Sequence, residues 1–310
     1  MLLSPLKGRP ARAGGQEGRI SAVVVSYRTG AVLGACLEAL SRQEEIAEII
    51  VVDNGNPPAE TALLDRLSAG SAILLLRPGR NTGFAAGCNL GAAQASAEFV
   101  SFVNPDLVVS PGSFSRILAV FAGRADVWLC GCRLLDMDGN EQRGGRREIL
   151  TPWRAFVEVT RLDRLFPGHP HFRRFNLMGG PPLEEVEVPA ISGAFMVMPR
   201  HRFRAMGGMD EAMFLHIEDV DLCLRVLKQG GRILYCGTVP VLHHGGTSDV
   251  SRLFVEWHKA RSAVRYFFKH FSGIYPAWAL VLVSALLWLR LGAIMATIVL
   301  GAGTAWRRQG

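Results

Sequence analysis

From residue 20 onward the chain repeats one pattern: a short β-branched run, a cluster of turn residues, then a longer stretch with apolar residues at helical spacing. Strands joined through helices are not hairpin neighbours, so they lie parallel in one sheet with the helices crossing over its faces. The predicted strands are 20–26, 48–52, 72–76 and 98–103, and the predicted helices 31–42, 59–69, 83–95 and 111–122, which makes four consecutive β-α units. Further strands are predicted at 127–132, 190–198 and 232–235, with a helix from 218 to about 229. At 310 residues and 49% hydrophobic content the chain has enough apolar surface for a large core.

The rest of the chain departs from that pattern in three places. Residues 1–18 are basic and rich in Gly and Pro but lack the apolar core of a secretory signal, and read as a flexible basic tail. Between 136 and 189 the periodicity weakens and Gly, Pro and Arg accumulate, which reads as an inserted surface region over the active face and mainly as a boundary. Residues 19–273 then form the main domain, and 274–310 a membrane-associated apolar helical segment. Over 274–300 Arg290 is the only charge. Arg290 divides this stretch into two short ones, so it is one tilted membrane span or an interfacial helical hairpin, with a buried core helix as the alternative. No acidic residue follows Glu256, while Arg261, Arg265, Lys269, Arg307 and Arg308 flank the stretch, a bias that favours anionic lipid on the cytoplasmic side of a membrane.

The 34 Lys and Arg against 27 Asp and Glu suit polyanionic partners, nucleoside diphosphates and lipid head groups among them. Much of the excess sits in the tracts 143–147 and 200–204. No run alternates basic with aromatic residues, so nucleic acid is not an expected partner. The six cysteines contain no C-x-x-C pair and read as reduced, small core residues, not as a zinc site or a disulfide framework.

Ligands of open parallel sheets bind at the carboxyl ends of the strands, and there polar residues recur. Ser26, Tyr27 and Arg28 end the first strand, Asp53 and Asn54 the second, Arg77, Arg80 and Asn81 follow the third, and Asn104 and Asp106 end the fourth. Each alone is explained by turn chemistry. The first strand lacks a G-x-G-x-x-G turn, which argues against a dinucleotide-binding domain. The glycine-rich element comes later, at 81–91, where the free N–H groups of a helix start are expected to face an anion or a ribose oxygen.

These residues resemble the inverting family 2 glycosyltransferases of the GT-A fold, particularly the rhamnosyltransferase-like branch. The matching elements are Val-Ser-Tyr at 25–27, Val-Val-Asp-Asn-Gly at 51–55, the 81–91 element, Asn-Pro-Asp at 104–106, Ser-Gly-Ala at 192–194, Glu-Asp-Val-Asp-Leu-Cys-Leu-Arg at 218–225 and His-His-Gly-Gly-Thr-Ser at 243–248. The resemblance implies an α/β fold of GT-A type with a mainly parallel central sheet. It also implies transfer of a sugar, rhamnose from a dTDP donor in this branch, to a glycan or polyprenyl-linked acceptor.

By the same resemblance Asp219, with Glu218, is the catalytic acid pair, and Asp219 is the base that takes the acceptor's proton. Ser26, Tyr27, Asp53, Asn54, Asn81, Gly83, Asn104 and Arg225 line the donor. Asp106 and His243, or its neighbour His244, hold a divalent cation, Mg2+ or Mn2+. The chain has Asn104-Pro105-Asp106 where the family's common form is Asp-x-Asp, leaving one carboxylate. The cluster of acids at 218, 219 and 221 is also what a helix N-terminus favours electrostatically, and Arg225 either meets diphosphate or pairs with Asp221 one turn back. Two rivals stand beside this reading: a sugar nucleotidyltransferase, and a non-catalytic membrane-tethered nucleotide-sugar-binding module.

Overall fold

The first predicted strand, β1 (Ile20–Ser26), is buried at every position, as a strand covered on both faces must be. A computed structural model describes residues 18–69, 73–172, 175–177 and 185–307. The basic tail, up to residue 17, lies outside the described residues. After β1 follow α1 (Val32–Ser41), β2 (Ile46–Asp53), α2 (Pro58–Ser68), β3 (Ile73–Leu76), α3 (Phe84–Gln94), β4 (Phe99–Val103), β5 (Leu107–Val109), α4 (Ser113–Phe121) and β6 (Val127–Leu135). Then come β7 (Arg146–Arg147), α5 (Pro152–Thr160), α6 (Leu162–Leu165), β8 (Val186–Glu187), β9 (Ala190–Ile191), β10 (Phe195–Pro199), α7 (Arg200–Ala205), α8 (Glu218–Lys228), β11 (Arg232–His243), α9 (Arg252–Phe271) and α10 (Ala277–Arg307).

Among the described residues the chain divides into two compact units. The first contains the sheet, whose order is β3-β2-β1-β4-β10-β6-β11-β5 with β8 on β11. β1 runs parallel to β2 and β4, and β2 to β3, as the alternation requires. The second half is mixed: β10 is antiparallel to β4 and β6, β11 is parallel to β6, and β5 is antiparallel to β11. This is the GT-A type α/β fold with a mainly parallel sheet. α3 lies very close to β1. A Cβ on Gly91 would meet Val23 at 2.4 Å and one on Gly87 would meet Val25 at 2.7 Å, so the glycines set that helix-to-sheet distance. All six cysteines are free and buried, and Cys36, Cys130, Cys132 and Cys236 pack among aliphatic side chains of one core cluster.

The second unit holds α5, α6, α9 and α10. α10 is one continuous helix, which removes the hairpin alternative. Within it Ala277–Ile298 is long and apolar enough to cross a membrane, with a mean hydropathy of 2.1. Leu280, Val283, Leu287 and Leu291 are buried on one face, which packs against α9 and α5. Trp278, Val281, Leu282, Leu289, Met295 and Ile298 are exposed. Arg290 is paired with Glu256 of α9 at 3.2 Å, so a side chain of α9 answers the lone charge.

Candidate functional site

Three groups of polar side chains gather where β1, β2 and β4 end. The first knits the loops together. Asn54 is buried; its Nδ2 donates to Asn81 Oδ1 at 3.0 Å and to the Gly83 carbonyl at 3.2 Å, and its Oδ1 accepts from Thr82 N at 3.0 Å. Asp53 Oδ1 accepts from Asn56 N at 3.1 Å, and Oδ2 faces Arg77 Nε at 3.2 Å. Ser26 Oγ meets Asn56 and Thr29. Tyr27 is half-buried beneath the Arg28 guanidinium, 5.5 Å from its ring centre.

This network engages three of the N–H groups around the start of α3, where free N–H groups were expected to face an anion or a ribose oxygen. Thr82 N goes to Asn54, Gly83 N to Asn81 Oδ1 at 2.9 Å, and Phe84 N to the Phe214 carbonyl at 2.8 Å. Gly83 has φ 89 and ψ 167, a region open essentially to glycine alone, and a Cβ there would meet the Phe214 carbonyl oxygen at 2.6 Å. Gly83→Ala is therefore expected to destabilise the fold by about 2 kcal/mol or more. A urea midpoint equal to wild type would contradict this.

The second group is set by sheet register. β5 pairs with β11 so that Leu107 opposes His243, which brings the preceding residue, Asp106, beside the end of β11. Asp106 Oδ1 lies 3.3 Å from His243 Nε2, and Oδ2 accepts from Thr247 Oγ1 at 3.0 Å. Burial pushes the Asp106 carboxyl up, but the bonds from His243 and Thr247 outweigh it and hold it below the ordinary carboxylate value. The neighbouring His244 offers its backbone N–H to the Asp106 carbonyl; it is His243 whose ring meets the carboxylate. Among the described residues no three His, Cys, Asp or Glu side chains converge as a closed metal cage. One carboxylate and one imidazole fit a cation that fills its remaining positions with water and substrate phosphate.

The third group surrounds the start of α8. Asn104 N donates to the Ala194 carbonyl, and one residue earlier Gly193 N donates to Asp219 Oδ2 at 2.8 Å, so Asp219 stands at the same end of the sheet as Asn104. Asn104 is half-buried there. The Arg147 guanidinium also bonds Asp219 Oδ2, and Val220 N caps Oδ1 at 2.7 Å. Burial raises the Asp219 carboxyl, yet Arg147 and the two N–H groups prevail and hold it below the ordinary range, ionised. Its neighbour goes the other way: burial first, then repulsion from Asp219, lifts Glu218 well above the ordinary value. The two neighbouring carboxyls are thus driven in opposite directions, Asp219 toward its ionised form and Glu218 toward its neutral form.

Arg225 takes the structural option. Its guanidinium bonds Asp221 at 2.7 Å and the carbonyls of Met206 and Gly208 at 2.9 and 2.7 Å, so it braces α8 against the loop after α7. The basic tracts are likewise engaged inside the fold. Arg146 pairs with Glu141, Arg147 with Asp219, and Arg200 Nε with the Ala97 carbonyl.

Gln142 and Arg147 are site residues that the sequence reading passed over, since both fall in the region read as a boundary. Antiparallel pairing of β7 with β9, Arg147 opposite Ala190, carries Arg147 to Asp219. The only sequence trace was the Arg146-Arg147 pair after two glycines.

Comparison with known proteins agrees with this architecture. A family model described as glycosyl transferase family 2 matches residues 21–180. N-acetylglucosaminyl-diphospho-decaprenol L-rhamnosyltransferase of Mycobacterium tuberculosis is 27% identical over 72% of this chain and 75% of its own. Rhamnosyltransferase WbbL of Escherichia coli is 23% identical over 79% of this chain and 90% of its own. The solved mannosyltransferase PcManGT of Pyrobaculum calidifontis, in complex with GDP-Man and Mn2+, shares the fold with a TM-score of 0.55 and 16% identity, over 96% of this chain and 84% of that one.

Proposed function

Since the chain belongs to glycosyl transferase family 2, we propose that it transfers rhamnose from a dTDP-linked donor to the glycan of a lipid-linked acceptor, with inversion at the anomeric carbon. The choice of sugar and carrier is supported by the Mycobacterium relative, whose name specifies an L-rhamnosyltransferase and a diphospho-decaprenol. The observation that carries the mechanism is the division of labour between two buried acids at one sheet edge. Asp219, kept ionised by Arg147, accepts the proton of the acceptor hydroxyl as its oxygen attacks. Asp106 and His243 hold Mg2+ or Mn2+, which when bound stabilises the negative charge left on the departing diphosphate. Tyr27 and Asn104, half-buried at the mouth, face the nucleoside and ribose. Ser26, Asp53, Asn54, Asn81 and Gly83 fix the loops that shape that pocket. Glu218, whose buried carboxyl is pushed toward its neutral form, is the neighbour of Asp219 in the catalytic pair.

The test is a panel of dTDP-, UDP- and GDP-sugars offered to purified protein with Mg2+ or Mn2+. Release of dTDP from dTDP-rhamnose is the expected result, accelerated by acceptor. Formation of a nucleoside triphosphate and a sugar 1-phosphate when inorganic pyrophosphate is added, with no nucleoside diphosphate released, would indicate a nucleotidyltransferase. Binding without turnover would indicate a binding module.

By the same proposal the enzyme works at the cytoplasmic face of a membrane with the exposed side of α10 against lipid, a reading supported by the basic residues that flank this apolar helix. Val281 and Leu289 are 57% and 69% exposed. The double variant Val281→Lys, Leu289→Lys is expected to keep its melting temperature within a few degrees and to lose most cosedimentation with phosphatidylglycerol vesicles, because each charge opposes burial by a few kcal/mol. Unchanged cosedimentation would move the membrane contact off this face.

A further inference from the structure

The side-chain amide of Gln142 meets His243 twice. Its Nε2 donates to the His243 carbonyl at 2.7 Å, and its Oε1 lies 2.6 Å from His243 Nδ1. A backbone carbonyl has no hydrogen to give, so the first contact fixes which end of the amide is nitrogen. Oε1 then faces the imidazole as an acceptor, and Nδ1 must carry a hydrogen. The remaining ring nitrogen, Nε2, points at Asp106 Oδ1.

Gln142 is itself held by its surroundings. Its backbone N donates to the Leu134 carbonyl at 2.8 Å, and Leu135 bridges Glu141. Between them a tight turn is closed by Asp136 Oδ1, which accepts from Asp138 N and Asn140 N at 3.0 and 2.9 Å. The Gln142 amide is thus presented from a short hairpin that extends β6, beside the end of its parallel neighbour β11.

We propose that Gln142 is a positioning residue for the donor-side cation: it locks His243 in the tautomer and ring orientation that offer Nε2, beside Asp106, to a divalent metal ion. The proposal rests on the reading of Asp106 and His243 as ligands. Metal-bound imidazoles characteristically give their second N–H to an acceptor, and loss of that acceptor lowers affinity about 10- to 100-fold. An amide does this without adding charge, so Asp106 remains the anionic ligand of the pair. Its second hydrogen bond ties the ring to the strand that carries it.

The experiment titrates the intact protein with Mn2+ and follows the signal of free Mn2+ by electron paramagnetic resonance, with and without dTDP. Gln142→Met, which fills the same space without either bond, is expected to weaken Mn2+ binding about 10- to 100-fold. Gln142→Glu keeps an acceptor for Nδ1 and loses the donor to the His243 carbonyl. It is expected to stay within about threefold of wild type, because the acceptor is what orients the ring. A role confined to anchoring the end of β11 would weaken both variants alike. Equal losses in Met and Glu, or wild-type binding by Gln142→Met, overturn the proposal. Asp106→Ala separates the two layers: if it binds Mn2+ as tightly as wild type, the ligand assignment itself has failed and the role of Gln142 falls with it.

Discussion

Replacing Asp219 with Asn lowers turnover about 10²-fold or more and leaves donor binding in place. Asparagine keeps the shape and one acceptor oxygen for Arg147, but it cannot take the proton of the acceptor hydroxyl. The same ion pair predicts the pH profile. Arg147 and two backbone N–H groups hold Asp219 below the ordinary carboxylate range, so the active, ionised form persists into acid and the rate falls only as pH drops through that lowered value. Arg147→Met removes the largest stabilising partner, and the carboxyl rises. The acidic limb of kcat then moves to higher pH, toward neutrality. A limb that stays in place in Arg147→Met, or near wild-type turnover in Asp219→Asn, would remove Asp219 from the role of base. Circular dichroism on both variants distinguishes loss of chemistry from loss of fold, since either change leaves a buried charge without its partner.

Asp106→Ala abolishes the metal dependence of donor binding. Calorimetry with dTDP-rhamnose in Mg2+ and again in chelator is expected to show wild-type protein discriminating by 10-fold or more, and the variant binding equally weakly in both. The reason is geometric: one carboxylate oxygen is available beside His243, and among the described residues no third acid or histidine stands ready to replace it. Equal discrimination by both proteins would put the cation elsewhere.

Much of the fold was legible because the first four strands are short apolar runs separated by turn residues from longer helical stretches, β1 and β4 being buried at every position. The second half was harder to read, for reasons seated in particular residues. β5 is three residues long, too short for periodicity to register, yet its register with β11 is what brings Asp106 to His243. β11 runs twelve residues where four were expected; the chain takes up Gly237 and Pro240 across a register shift between Cys236 and Pro240 and continues. The run 190–198, read as one strand, is broken at Ser192–Ala194, and the break aims Gly193 N at Asp219. Candidate acids and the histidine could be named from their motifs. Their supports could not, since Gln142 and Arg147 reach them only through tertiary pairing, and a glutamine or arginine in a polar, glycine-rich stretch has no periodic signature.

The short stretch from Gln142 to Arg147 touches two chemically opposite events. At one end it bonds the imidazole of His243, on the proposed leaving-group side; at the other it bonds the carboxylate of Asp219, the proposed base. Two glycines, at 144 and 145, join the ends, and Gly145 offers its N–H to the Gln142 carbonyl and its carbonyl to Ser192 N. An insertion or deletion here would shift both ends together, so the length of this stretch is constrained even though most of its residues bear no catalytic group. A change of length within it is therefore expected to disturb the His243 side and the Asp219 side together, whereas a single substitution at Gln142 or at Arg147 is expected to disturb one side first.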